Sequence, residues 1–180
     1  CVHLLPCRIP PHRTPPQASP EQRLDLLRVA VGDEPALEID SRELHREGPS
    51  YMVDTLDSMR AQRGTEPLCL ALGMDAFAGL ESWHRWQRIR DLCHLVVMQR
   101  PGSRWPDQGV LAEWVAHGRV QNVSGLHERS AGGILGVPVT QMDISSTGIR
   151  ALLASGRSPR YLLPDAVIDR IQQEKWYANG

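Results

Sequence analysis

Two apolar runs, Pro67 to Leu72 and Cys93 to Met98, stand between segments of helical spacing. That alternation constrains the fold more than any other feature. A short apolar run without polar alternation reads as a strand buried on both faces of a parallel sheet. Parallel neighbours need a crossover, and a helix is the usual one. The rest of the chain supplies the pattern. Residues 2–5 and 36–39 read as short strands, and Ile134 to Thr140 as the last strand. Ser19-Pro20-Glu21-Gln22 gives an N-cap, a proline at the first helical position and a capping-box glutamine. The helix it opens runs to about Val31, with Leu24, Leu27 and Val31 on one face. Met52, Leu56 and Met59 predict a helix over about 51–63. Two short helices are expected around Ser82-Trp83, at 74–80 and 84–91, and further helices at 107–117, 146–155 and 165–175. Residues 118–133 show no periodicity. Strands separated by helices predict an α/β, three-layer fold with a parallel sheet, and 180 residues suit one domain spanning 1–180.

Several classes are excluded by bulk properties. The formal net charge is -1 and no cluster of five basic residues occurs, so no nucleic-acid partner is expected. No apolar run reaches the roughly 20 residues that span a bilayer, so no membrane partner is expected. Cys1, Cys7, Cys69 and Cys93 form no C-x-x-C pair, which argues against a zinc knuckle. Cys69 and Cys93 sit in apolar runs and read as small hydrophobes, which fits a reducing, cytoplasmic setting.

In a parallel α/β sheet, ligands bind at the carboxyl ends of strands. That rule directs attention to Pro6–Arg13, Gly73–Asp75 and Thr140–Arg150. Ser145-Ser146-Thr147-Gly148-Ile149-Arg150 is the strongest single signal. A helix start aims free N–H groups at one point and suits phosphate. Three successive hydroxyls exceed what a cap needs, and Arg150 adds a cation. Gly73-Met74-Asp75 lets a ligand approach the backbone and offers a carboxylate to ribose hydroxyls; a plain helix cap at Asp75 is the simpler reading. Trp83-His84-Arg85-Trp86 could present a stacking face or only pack the core. Ser50-Tyr51 opens a helix, where Ser50 could serve merely as its cap. Arg100 could reach an anion or sit in a surface ion pair. Pro10-Pro11-His12-Arg13 is a stiff turn carrying two potential cations.

Taken as an ordered set, these motifs resemble the bacterial nicotinate-nucleotide adenylyltransferases. The set comprises Leu5-Pro6, Pro10-Pro11-His12-Arg13, Ser50-Tyr51-x-x-Asp54-Thr55-Leu56, Gly73-x-Asp75, Trp83-His84-Arg85-Trp86, Arg100-Pro101-Gly102 and Ile144-Ser145-Ser146-Thr147-x-Ile149-Arg150. Leu163-Pro164-x-x-Val167 and Trp176-Tyr177 extend the likeness to the end of the chain. The resemblance implies a Rossmann-like nucleotidyltransferase fold and transfer of AMP from ATP to nicotinate mononucleotide. The products are deamido-NAD and pyrophosphate, and Mg²⁺ accompanies ATP with no protein metal ligands. It implies that Ser145, Ser146, Thr147, Ile149 and Arg150 hold ATP phosphates, and that Gly73 and Asp75 meet ribose. Trp83 stacks on the nicotinate ring, and backbone amides near Tyr51, Met52 and His84 hold its carboxylate. Arg100 lines the nicotinate nucleotide pocket. His12, Thr147 and Arg150 act on the phosphates.

The departures are specific. The family's Gly-Gly-Thr-Phe-Asp-Pro-x-His-x-Gly-His segment does not occur in this sequence. With the abrupt opening at Cys1, its absence predicts that the first βα unit is missing from this chain and that these 180 residues alone are inactive or nearly so. Met52 stands where Thr is frequent in the family, and Cys7 where Asn is frequent. Two other functions fit the motifs: a sister nucleotidyltransferase with another phosphate acceptor such as phosphopantetheine, or a catalytically silent nucleotide-binding module.

Overall fold

The computed structural model describes residues 1–11, 16–140 and 142–177. In chain order the first elements are β1 (Val2–Leu4), α1 (Pro20–Val31), β2 (Leu37–Ile39) and α2 (Met52–Arg63). Then come β3 (Cys69–Gly73), α3 (Met74–Ala78), a 3₁₀ turn (Leu80–Ser82), α4 (Trp86–Leu92) and β4 (His94–Gln99). The last are α5 (Gly109–Gly118), β5 (Arg119–Val120), α6 (Ser124–His127), β6 (Ile134–Pro138), α7 (Ser146–Ala154) and α8 (Asp165–Gln173). The predicted strands and helices all form, within a few residues of their expected ends. The unreadable segment holds β5 and α6. The chain divides into two compact units: Cys1–Ser50 with the chain from Asp143 onward, and Tyr51–Met142.

In the first unit β1 and β2 pair in parallel, with His3 beside Glu38. Both halves of the predicted capping box form on α1. The Gln22 N–H donates to Ser19 Oγ (3.2 Å) and the Ser19 N–H to Gln22 Oε1 (2.8 Å). An ion pair between Arg170 Nη1 and Asp25 Oδ2 (3.0 Å) links α8 to α1. The expected apolar face of α1 is only half covered, and no residue of that helix is fully buried. The reason is a cavity of about 490 Å³ lined by Leu26, Leu27 and Ala30 of α1, with Ile149, Leu153, Val167 and Ile171 of α7 and α8.

In the second unit four parallel strands run in the order β3-β4-β6-β5. Their core holds Val53 and Leu56 of α2, Phe77, Leu80, Ile89, Leu95, Val97, Trp114 and Ile134. One sequence expectation fails here. β3 is not buried on both faces: Leu72 is buried, whereas Cys69 and Ala71 are exposed. Side chains alternate along a strand, and in β3 only the row of Leu70 and Leu72 is covered by described residues. Cys93 does behave as a small hydrophobe. It is fully buried at the end of α4 rather than inside β4, and burial pushes its thiol up to about 12.

Two polar side chains fasten the ends of these elements. Arg60, in the last turn of α2, donates all five N–H groups to backbone carbonyls. Nε and Nη2 reach Leu92 O (3.0 and 2.6 Å), Nη2 also reaches Ser130 O (2.8 Å), and Nη1 reaches Gly64 O (2.8 Å) and Glu66 O (2.7 Å). One guanidinium thereby ties the exit of α2, the approach to β3, the exit of α4 and the loop before β6.

His94 opens β4 and is fully buried. The Gly133 N–H donates to its Nδ1 (2.9 Å), which leaves the proton on Nε2 to be donated to Arg129 O (2.9 Å). Gly133 must lack a side chain, because a Cβ there would lie 2.7 Å from His94 Nδ1. These contacts give residues 118–133 their path, which no local pattern encodes.

Loss of Arg60 orphans partly buried carbonyls. Arg60→Ala should destabilise the protein by about 2–4 kcal/mol in urea denaturation, and a change under 0.5 kcal/mol (roughly the level of an ordinary surface substitution) would contradict the tether.

Burial, above all, lowers the His94 pKa from its ordinary 6.5. Protonation therefore favours the unfolded chain. Its contribution is intact above pH 6.5, the ordinary value, and is lost as pH falls below it toward the lowered folded value. The wild-type denaturation midpoint should fall across that window, and His94→Gln should be less stable at neutral pH but lack that component.

Candidate functional site

Ser145 to Arg150 lie in the first unit, with Ser50; Tyr51, Met52, Gly73, Asp75, Trp83, His84 and Arg100 lie in the second. In the first unit, Ser145 is the N-cap of α7, and its Oγ accepts from the Gly148 N–H (3.1 Å). The Ile149 N–H is used by Ser145 O (2.9 Å), and the Ile149 side chain is buried. Ile149 thus anchors the helix through both its side chain and its amide. The first N–H groups, on Ser146 and Thr147, have no acceptor within the helix, as at any helix start. Ser145 to Gly148 are exposed. The Ser146 hydroxyl makes no hydrogen bond with another described residue. Arg150 folds back along the helix and donates from Nη2 to Thr147 Oγ1 (3.3 Å). One of three hydroxyls is therefore consumed by capping. The other two, two amides and a guanidinium remain at one helix end, where the dipole favours an anion.

In the second unit Gly73 ends β3 and is itself the N-cap of α3, so Asp75 is not the cap but lies in the first turn. The Asp75 carboxylate is exposed, and no described residue pairs with it. A Cβ on Gly73 would meet nothing within 4 Å, so open space lies before its backbone. Gly73 is paired in register with Met98, which puts Gly73, Asp75 and Arg100 at the carboxyl ends of adjacent strands. Arg100 is exposed and forms no ion pair with a described residue, which removes the surface-pair reading.

Tyr51 is the N-cap of α2 and Met52 its first residue. Ser50 does not cap that helix; its Oγ accepts from the Arg8 N–H (3.1 Å) within the first unit. Tyr51 stacks on His84, ring centroids 4.3 Å apart and planes tilted by 32°. Trp83 follows the 3₁₀ turn, half-buried against the core. The structure thus joins Tyr51, Met52, Trp83 and His84 through one ring contact between α2 and the Trp83-His84 turn. His12 and Arg13 lie outside the described residues.

Two features of this cluster escaped the sequence reading. Arg85 adopts left-handed backbone (φ 50°, ψ 39°), a sharp reversal between His84 and α4. Two ion pairs then tie α4 to α2. Arg85 Nη1 lies 3.8 Å from Asp54 Oδ1, and Arg88 holds Asp57 in a fork, Nη2 to Oδ1 at 2.7 Å. The Asp57 carboxylate raises the Arg88 pKa. The signal was present: Asp54 and Asp57, three apart, match Arg85 and Arg88, also three apart.

Residues 1–152 match the family model described as cytidylyltransferase-like. The chain is 51% identical over 176 residues to the probable nicotinate-nucleotide adenylyltransferase of Halorhodospira halophila, covering 98% of this chain and 81% of that relative. It is 47% identical over 178 residues to the protein of that name in Methylococcus capsulatus, covering 98% and 85%. The chain belongs to the nicotinate-nucleotide adenylyltransferase family. A solved structure of nicotinic acid mononucleotide adenylyltransferase from Plasmodium falciparum, complexed with NaAD, superposes with a TM-score of 0.67 at 13% identity. It covers 99% of this chain and 82% of that one. At that identity the likeness concerns the fold alone, a three-layer α/β nucleotidyltransferase fold with parallel strands. No helix among the described residues is long and apolar enough to cross a membrane.

Capping at α7 falls to Ser145 and not to Ser146. Ser145→Ala should cost about 1 kcal/mol in thermal or urea denaturation. Ser146→Ala should leave stability within about 0.5 kcal/mol. Equal losses in the two variants would mean that Ser146 also supports the helix.

Proposed function

We propose that this protein transfers AMP from ATP to nicotinate mononucleotide, forming deamido-NAD and releasing pyrophosphate in NAD biosynthesis. The observation that carries the reading is 51% identity over nearly the whole chain to a protein named for that activity. The exposed donors of α7 and the Tyr51–His84 cluster support it independently, as an anion site and an aromatic site.

The chemistry asks little covalent help from protein. The 5′-phosphate of nicotinate mononucleotide is ionised near neutral pH and attacks the α-phosphorus of ATP without a general base. A new P–O bond forms while the bond from the α-phosphorus to its bridging oxygen breaks. The electron pair leaves with pyrophosphate. Catalysis is then positioning plus neutralisation of developing charge. We assign neutralisation to Arg150, Thr147 and the free amides of Ser146 and Thr147, with Ser145 holding the helix start and Ile149 anchoring it. His12 joins them on the strength of family resemblance. Mg²⁺ enters as part of the ATP substrate. Bound to ATP, such an ion is held mainly through phosphates and water.

Positioning falls to the second unit's residues. Gly73 and Asp75 receive ribose, the open space before Gly73 admitting the sugar and the free Asp75 carboxylate accepting from its hydroxyls. Trp83 stacks on the nicotinate ring. Amides at Tyr51, Met52 and His84 hold the nicotinate carboxylate, a contact that Met52 makes as well as Thr would, because it uses backbone. Arg100 lines the nicotinate nucleotide pocket. Four free cysteines support a reducing, cytoplasmic setting.

The assay uses the purified protein with ATP and nicotinate mononucleotide as substrates. Deamido-NAD and pyrophosphate should appear in equal amounts from ATP and nicotinate mononucleotide. Turnover with phosphopantetheine instead would move the protein to the sister activity. Arg150→Ala should lower kcat about 10²-fold, comparable to losing one transition-state donor. Trp83→Ala should raise KM for the nicotinate nucleotide while leaving KM for ATP unchanged. A normal rate in the first variant, or an unchanged KM in the second, would remove that residue from its role.

A further inference from the structure

Cys1, His3 and Glu38 converge on the β1–β2 pair. Side chains two apart on a strand share a face, so Cys1 and His3 point the same way. Parallel pairing puts Glu38 beside His3 in register. Their ligand atoms all lie within 4.8 Å of one another. Glu38 Oε2 is the common point, 3.9 Å from Cys1 Sγ and 3.7 Å from His3 Nδ1.

These distances can be set against a metal's demands. With bonds of about 2.3 Å to sulfur and about 2.0 Å to nitrogen or oxygen, a tetrahedral zinc ion needs S···O near ~3.5 Å and N···O near ~3.3 Å. The observed separations exceed these by a few tenths of an ångström, within reach of small rotamer adjustments. The thiol now points at a carboxylate oxygen, so a cation replacing its proton would meet two anionic ligands and one neutral imidazole.

We propose that Cys1, His3 and Glu38 form a binding site for a divalent transition-metal ion of the zinc class. Thiolate with imidazole selects such ions over Mg²⁺ or Ca²⁺, which take oxygen donors. Three protein ligands leave the fourth position to water. The ion's effect is structural. β1 and β2 have three residues each and pair with one another in parallel. An ion bonded to residues of both strands staples the pair. The site is separate from the phosphate and nicotinate assignments and does not depend on them. The search for C-x-x-C pairs missed it because its ligands come from two strands.

The test is titration of the reduced full chain with Co²⁺, then displacement by Zn²⁺. One equivalent of cobalt should give tetrahedral d–d bands and a thiolate-to-cobalt charge-transfer band. Cys1→Ser should abolish the charge-transfer band, whereas Cys7→Ser and Cys69→Ser should retain it. His3→Gln and Glu38→Gln should each weaken zinc affinity at least about tenfold. Glu38→Gln keeps the fold in hand, since that side chain is 63% exposed. Zinc should raise the melting temperature of the wild type and not of Cys1→Ser. Absence of the charge-transfer band at stoichiometric cobalt, or its persistence in Cys1→Ser, would overturn the proposal.

Discussion

The Arg60 guanidinium sends every N–H to a backbone carbonyl, at Leu92, Ser130, Gly64 and Glu66. Charged donors make stronger hydrogen bonds than neutral ones, and the planar fork of arginine presents all five in fixed directions. The four carbonyls belong to the ends of α2 and α4, the approach to β3 and the loop before β6. Those are the places where helices leave orphan acceptors. A single side chain therefore fixes where β3 and β4 begin. Strand starts and register together place the carboxyl ends of the strands, where Gly73 and Arg100 lie. His94 completes the arrangement from inside by setting the path of residues 118–133.

The two candidate sets of residues rest on different physics. At α7 the array of donors is a property of a helix start: unsatisfied amides, a capping serine and a cation one turn later. It needs local sequence only. At Tyr51 and His84 the arrangement is tertiary. The Trp83-His84 turn is held to the start of α2 by the left-handed Arg85 and by the Asp54–Arg85 and Asp57–Arg88 pairs. Both pairs are partly exposed, so each contributes little stability alone. Their value is orientation of the turn.

Legibility followed the range of the interactions. The capping box on α1, the Ser145 cap and the α/β alternation were readable because each depends on residues within one turn or on simple periodicity. Ser50 was misassigned because the competing partner, the Arg8 amide, is 42 residues away in sequence. Cys69 was expected to be buried because its run is apolar. Whether both faces of a strand are covered is decided by what packs on the sheet, and in β3 only the row of Leu70 and Leu72 is covered by described residues. Residues 118–133 gave no pattern because their path is set by His94, Gly133 and Arg60 rather than by propensity.

The sequence by itself determined the fold class, the order of elements, the capped start of α7 and, through its ordered motifs, the family. These rest on backbone hydrogen bonding and side-chain periodicity, which act locally. Only the tertiary structure decided how Arg60 ties four segments, how Tyr51 meets His84, how Asp54 and Asp57 match Arg85 and Arg88, and how Glu38 comes beside Cys1 and His3. Apart from the short reach of Arg60 to Gly64 and Glu66, each of these joins residues 31 to 70 positions apart, and no local rule encodes such meetings.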